Sequence, residues 1–304
     1  MPAEPSDLSR PMARPAALRR AEGARNNSDA SIRGRSRRPW SRIALVSLVA
    51  AYLILVLGGP LIALAHELID IGGSAILEAL QSPPLRLALM TSIELTLWAV
   101  LLNALFGTAG ALALSRWRMP GSGLLDALAD LPLAVSPVMA GLALMLVFGR
   151  RGWMGPLLDL LQLKVTFAFG GLLLATLFVT LPFTIREIVY VLDEVGTSEE
   201  EAATTLGASP WQTFWRVTLP NIRYGLGYGL LMTAARSLGE FGAVLVIGGS
   251  IAGHTQTATT LIHDALEERD RAAAYGMALL LALASVSLLL LLERAKQRLA
   301  RRQR

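Results

Sequence analysis

The chain has 304 residues, 53% of them hydrophobic and only 17% charged, with a mean hydropathy of +0.50. The apolar residues gather in six stretches of roughly 17 to 25 residues, the length an α-helix needs to cross a hydrocarbon core, which excludes a soluble enzyme, a fibrous protein and a barrel of short alternating strands. No cysteine is present, so disulfides, thiolate metal sites and cysteine nucleophiles are excluded. The formal charge of +5 comes from a chain in which 26 of 28 basic residues are arginine, mostly beside the apolar stretches. That placement speaks for membrane orientation and against a nucleic-acid partner.

In chain order, residues 1–42 carry ten arginines against Glu4, Asp7, Glu22 and Asp29. With almost no large apolar side chain to bury, this segment reads as a disordered basic tail. Arg37-Arg38 before the first apolar run and Ala63-Leu64-Ala65 after it imitate an export signal. The run is too long for a signal core and five more follow, so it reads as a span. Spans are expected at 43–64, 92–114, 131–148, 165–183, 224–247 and 272–292. With the N-terminus inside, the inner segments hold 21 basic residues and the outer ones 6, and Arg236 lies within the fifth span. The expected architecture is therefore an all-α membrane protein of six helices, residues 43–295, with both termini cytoplasmic and a basic cytoplasmic end at 296–304. The long loop between spans four and five then also faces the cytoplasm.

That loop, 197–220, is the most informative part of the chain. Thr197 or Ser198 can cap a short helix whose glutamates sit at the positive end of its dipole, and Gly207 would end it with a positive φ. Ser209 followed by Pro210 is placed to start a second helix, in which Trp211, Phe214 and Trp215 share a face. Pro220 is expected to stop it. The aromatics could pack on the protein's own helix ends, sit at headgroup level, or be offered to a partner.

Glu201-Ala202-Ala203, then Gly207, then Val217, Leu219 and Pro220 resemble the EAA loop of permease subunits of bacterial ABC importers. The resemblance implies a type I importer permease fold. It also implies docking on an ATPase dimer through Glu201, Ala202 and Ala203, with Gly207 as the hinge and Leu219-Pro220 closing the motif. The chain itself lacks a phosphate-binding Gly-Lys-Ser/Thr, since its two lysines, Lys164 and Lys296, are not preceded by glycine. It is thus expected to be a non-catalytic subunit with no cofactor, powered by a partner.

The fifth span contains Arg236 and Glu240, i and i+4 on one expected helix face. They suit an ion pair that fixes packing, or a pair that lines an anion path. The surrounding Arg-Ser-Leu-Gly-Glu-Phe-Gly-Ala resembles permeases for sulfate, thiosulfate, molybdate and tungstate. Residues 200–226, with Ile251, Gly253, Thr255 and Thr257, look most like the W-type permease of sulfate/thiosulfate importers. Ala258 to His263 depart from that type, which keeps molybdate or tungstate as the alternative. Family resemblance further implies a second permease forming a heterodimer, a periplasmic oxyanion-binding protein and a bacterial inner-membrane location. An ion-coupled secondary transporter would need a repeated copy of the span-five pattern, and a membrane enzyme a ligand or nucleophile cluster. His66, His254 and His263 lack metal-ligand spacing. Asp126 and Asp130 read as solvated helix-entry residues or partners of loop arginines such as Arg118, and Glu94 as interfacial.

Overall fold

The computed structural model describes residues 39–116 and 122–302, and every regular element among them is a helix. Residues 1–38 of the expected tail, with Arg37 and Arg38, lie outside the described residues, as does Arg118. The chain divides into units 1–63 and 64–304. The first holds α1 (Pro39–Leu53) and a π-helical turn (Ile54–Gly58), continued by α2 (Gly59–Ile71). No side chain from Ile43 to Ile71 is buried.

In the second unit follow α3 (Gly73–Gln81), α4 (Pro83–Leu102) and, after a π turn at Asn103–Gly107, α5 (Thr108–Arg116). Then come α6 (Ser122–Ala134), α7 (Pro137–Phe148), α8 (Gly155–Leu160), α9 (Phe169–Val195), α10 (Ser198–Thr205) and α11 (Pro210–Thr213). A π turn at Phe214–Thr218 joins α11 to α12 (Leu219–Leu238), before α13 (Gly242–Gly248), α14 (Ala258–Glu267) and α15 (Arg271–Arg302).

Among the described residues four helices are long and apolar enough to cross a membrane: Ile43–Ile71, Pro83–Arg116, Phe169–Val195 and Arg271–Leu291. Two bent pairs, α6 with α7 at 117° and α12 with α13 at 59°, bring the number to six where each pair is taken as one span. The expected third and fifth spans were continuous helices, and the structure corrects both. In the third, Pro137 holds Ser136 extended at ψ 146°, and the Ser136 hydroxyl accepts the Met139 N–H at 3.3 Å, so a fresh helix begins there. The break in the fifth is built around Glu240.

Spans two and four are among those that outrun their expected limits, because charges read as loop residues are helical. Span two starts at Pro83, where Ser82-Pro83 opens the helix, and so includes Arg86. Glu94, 22 residues before Arg116, then lies about 33 Å along the helix from it, near the full thickness of a hydrocarbon core, which suits an interfacial carboxylate. Span four runs on to Val195 through Arg186. The Arg186 guanidinium donates to Asp126 Oδ1 at 2.8 Å and to both oxygens of Asp130 at 2.7 and 2.5 Å. Asp126 and Asp130 thus pair with Arg186, which clamps α6 to α9.

Around α9 the core is held by close backbone approach and hydrogen bonds, as expected where lipid removes the hydrophobic drive between helices. A Cβ on Gly229 of α12 would lie 2.9 Å from Thr184 Cα, and one on Gly107 would lie 2.6 Å from Thr184 Cγ2. Thr184 and Thr233 hydroxyls are 3.0 Å apart, and Asn103 donates to Thr180 at 2.8 Å. Ile185, Ile188, Leu192 and Ile222 complete a buried cluster between spans four and five.

Candidate functional site

The loop between spans four and five folds into a two-helix knob. Glu199, Glu200 and Glu201 occupy the first turn of α10, at the positive end of its dipole. Thr197 is the N-cap residue, but its hydroxyl donates to Glu201 Oε1 at 2.6 Å instead of accepting a backbone N–H. After α10 the chain turns at Gly207, with φ +85°. A Cβ there would meet nothing within 4 Å, so the glycine serves the backbone conformation alone. Ser209 and Gln212 form a reciprocal capping box for α11, with bonds of 3.3 and 2.9 Å, and Pro210 stands at its first position.

Pro220 does not end this helix. From Pro210 to Leu238 it is continuous, and the π turn is the reason. Leu219 N–H bonds to Phe214 O, five residues back, which widens the turn where a regular one would drive the proline ring into the Arg216 carbonyl. On α11 and the turn, Trp211 and Phe214 stack and Trp215 meets both edge-on, with ring centroids 5.4 to 6.2 Å apart. Trp211 remains 69% exposed and Leu206 88% exposed, so the knob presents an apolar surface that the described residues leave uncovered. Glu201 and Ala202 are exposed beside it and Ala203 is half-buried; Leu219 packs on the span-four core, whereas Pro220 is exposed.

Sequence reasoning missed what holds the knob in place. Arg116, the last residue of span two, donates to Glu200 Oε2 at 2.8 Å, to Gly196 O at 2.7 Å and to Leu192 O at 3.3 Å. Thr218 donates to Glu200 Oε1 at 2.8 Å and Asn221 to Glu199 Oε2 at 2.7 Å. The available signal was an arginine pair, Arg116 and Arg118, after the second apolar stretch and a run of three glutamates in a loop of the same side.

The second candidate site is the break in span five. Arg236 Nη2 lies 2.9 Å from Glu240 Oε2, so the two do pair. They do not share a regular helix, however: Arg236 lies in the last turn of α12, while Glu240 sits in the break and its Oε1 accepts Ala243 N–H at 3.1 Å, capping α13. Thr259 of α14 donates to the Glu240 carbonyl at 2.7 Å. Glu240 is 1% exposed and Arg236 34% exposed, so the pair shows its cationic side. Next to it, α13 and α7 pack so closely that a Cβ on Gly141 would lie 2.9 Å from Ala243 O. His263 stacks edge-on against Phe241 at 5.3 Å. The 20 residues of α12, about 30 Å of helix, separate this site from the knob.

A family model described as "Binding-protein-dependent transport system inner membrane component" matches residues 107–304. The chain is 44% identical over 254 residues to the "Sulfate transport system permease protein CysW" of Synechocystis sp., covering 84% of this chain and 92% of that one. To the proteins of Escherichia coli K12 it is 39% identical over 265 residues for CysW (87% and 90% covered) and 38% over 256 residues for CysT, a sulfate transport system permease protein too (84% and 92% covered). Among solved structures, a bacterial alginate ABC transporter in complex with an alginate-bound periplasmic protein contains a chain similar in fold, with TM-score 0.71 and 17% identity over 86% of this chain and 96% of that one.

Proposed function

The chain belongs to the family of binding-protein-dependent transport system inner membrane components, multi-pass transport subunits, and from that footing we propose that it is one permease half of an ATP-driven sulfate/thiosulfate importer. The observation that carries the mechanism is the knob: a rigid, uncovered two-helix element continuous with span five and abutting span four. In this reading Glu201, Ala202 and Ala203 seat α10 in a groove of a separate ATPase subunit, where small side chains let backbones approach. Gly207 sets the angle between the two helices, and Leu219-Pro220 join the knob to span five. The EAA loop lies on the cytoplasmic side, with both termini, 1–42 and 296–304, on the same side of a bacterial inner membrane.

The substrate assignment rests on relatives whose names carry sulfate at 38–44% identity. Similar identity to W-type and T-type proteins fits a heterodimer of two related permeases around one path. A periplasmic binding protein delivers the dianion, and Arg236, partly exposed and tied to a buried carboxylate, supplies positive potential to the path. Catalysis of ATP hydrolysis belongs to the partner. In the decisive experiment the chain is purified alone and with the ATPase dimer, second permease and binding protein. ATP hydrolysis and uptake of radiolabelled sulfate are expected only from the complete assembly. Hydrolysis by the chain alone that survives repurification, or a complete assembly that carries molybdate but not sulfate, refutes the reading.

A further inference from the structure

The helix that carries Glu201 is flanked by two glycines in the left-handed region, Gly196 at φ +73° and Gly207 at φ +85°, and neither has an atom within 4 Å of the Cβ it lacks. A helix tethered only through such residues can swivel, because glycine offers the backbone little steric resistance. Its rigidity has to come from side chains. Arg116 is the node at which most of them meet, with the Asn221–Glu199 bond lying outside it. Its guanidinium reaches the carbonyls of Leu192 and Gly196 at the C-terminal end of α9, where a cation is favoured, and Glu200 in the first turn of α10, where an anion is favoured. Glu200 in turn accepts from Thr218 at the base of span five. The Arg116 and Glu200 side chains are 15% and 21% exposed, so this ion pair is well shielded from water. A planar fork of five donors suits such a task better than the point charge of a lysine.

We propose that Arg116 is the positioning residue of the coupling machinery. Through Glu200 it locks α10 to the ends of spans two, four and five, so that displacement of the docked helix moves three spans together. The inference rests on the reading of 197–220 as the ATPase-coupling loop. Without the lock, α10 still docks, but its motion is spent in the swivel.

The test uses the complete importer in proteoliposomes, with ATP hydrolysis and radiolabelled sulfate uptake measured on the same sample. Arg116→Gln and Glu200→Gln are each expected to raise the ATP hydrolysed per sulfate carried about tenfold, the effect of losing one charge-assisted hydrogen bond, while the ATPase subunit stays associated. Arg116→Lys should fall between them and wild type, and the Arg116→Gln/Glu200→Gln double variant should be no worse than the worse single. If Arg116→Gln fails to assemble, Glu200→Gln decides alone, since its amide oxygen still accepts from Thr218. An unchanged ratio in assembled Glu200→Gln complexes overturns the proposal, as does loss of ATPase association in proportion to uptake. A wild-type complex whose hydrolysis is not linked to sulfate overturns instead the underlying reading of the loop.

Discussion

At Gly207 the backbone adopts φ +85° with open space around the missing Cβ, so a substitution there is penalised by conformation and not by collision. Gly207→Val is expected to strain the knob by about 1 kcal/mol or more and to lower sulfate uptake, whereas Gly207→Asn, whose side chain tolerates the left-handed region, should retain more. Equal uptake by the two variants would show that φ is not what matters. The pair at the span-five break calls for a different argument. Glu240 is 1% exposed, so Arg236→Met leaves a lone buried carboxylate, which costs ~2.5 kcal/mol or more in a membrane and should abolish assembly. In Arg236→Met with Glu240→Gln no charge is stranded, and the glutamine oxygen can still cap Ala243. That double variant is expected to assemble but to carry sulfate about tenfold more slowly, because the positive potential has gone. Normal uptake would reduce the pair to a packing device, and assembly losses that simply add would mean the two residues are independent.

Between spans four and five the contact runs through glycines on one face of α12. Gly229→Leu should destabilise the assembly by about 1–3 kcal/mol, because its Cβ would fall 2.9 Å from a backbone atom that cannot yield. Gly227→Leu, on the same helix with nothing within 4 Å, is the matched control and should be tolerated. Thermal unfolding in detergent distinguishes them, and equal midpoints would remove close approach as the basis of packing. Apolar length made the six spans legible in the sequence, and cap chemistry made both helices of the knob legible at Gly207, Ser209 and Pro210. Their limits were not, because a charge inside a span is readable only with its partner in view. Arg186 looked like a loop residue until Asp126 and Asp130 were brought beside it. Pro220 looked like a terminator for a similar reason, since a π turn has no local signature as strong as the proline it accommodates. The break at Glu240 was only half legible, because its cap on Ala243 is local whereas Thr259 of α14 and the packing of α7 on α13 come from other parts of the chain.

Over the whole molecule the long helices and the broken ones differ in what they can do alone. Pro83–Arg116 and Arg271–Leu291 are long enough to lodge in a bilayer as single segments. By contrast α7, with 12 residues, reaches only about 18 Å, and its neighbour α13 is shorter still. Each closes against the other where Gly141 meets Ala243, two positions separated by about 100 residues of chain. At ribosomal rates of about 5–20 residues per second, α7 must wait some 5–20 s for the segment that completes it. Throughout that interval the polypeptide carries a helix too short for the membrane it has entered, with the unsatisfied peptide groups of its bend looking for water or protein. Biogenesis, and not the finished fold, is then the stage at which a defect near Gly141 or Gly242 does most harm. Gly141→Val should appear first as a nascent chain cleared by membrane proteases. Pulse-chase labelling checks this, and a variant that matures at the normal rate but arrives inactive would place the fault in the finished protein instead.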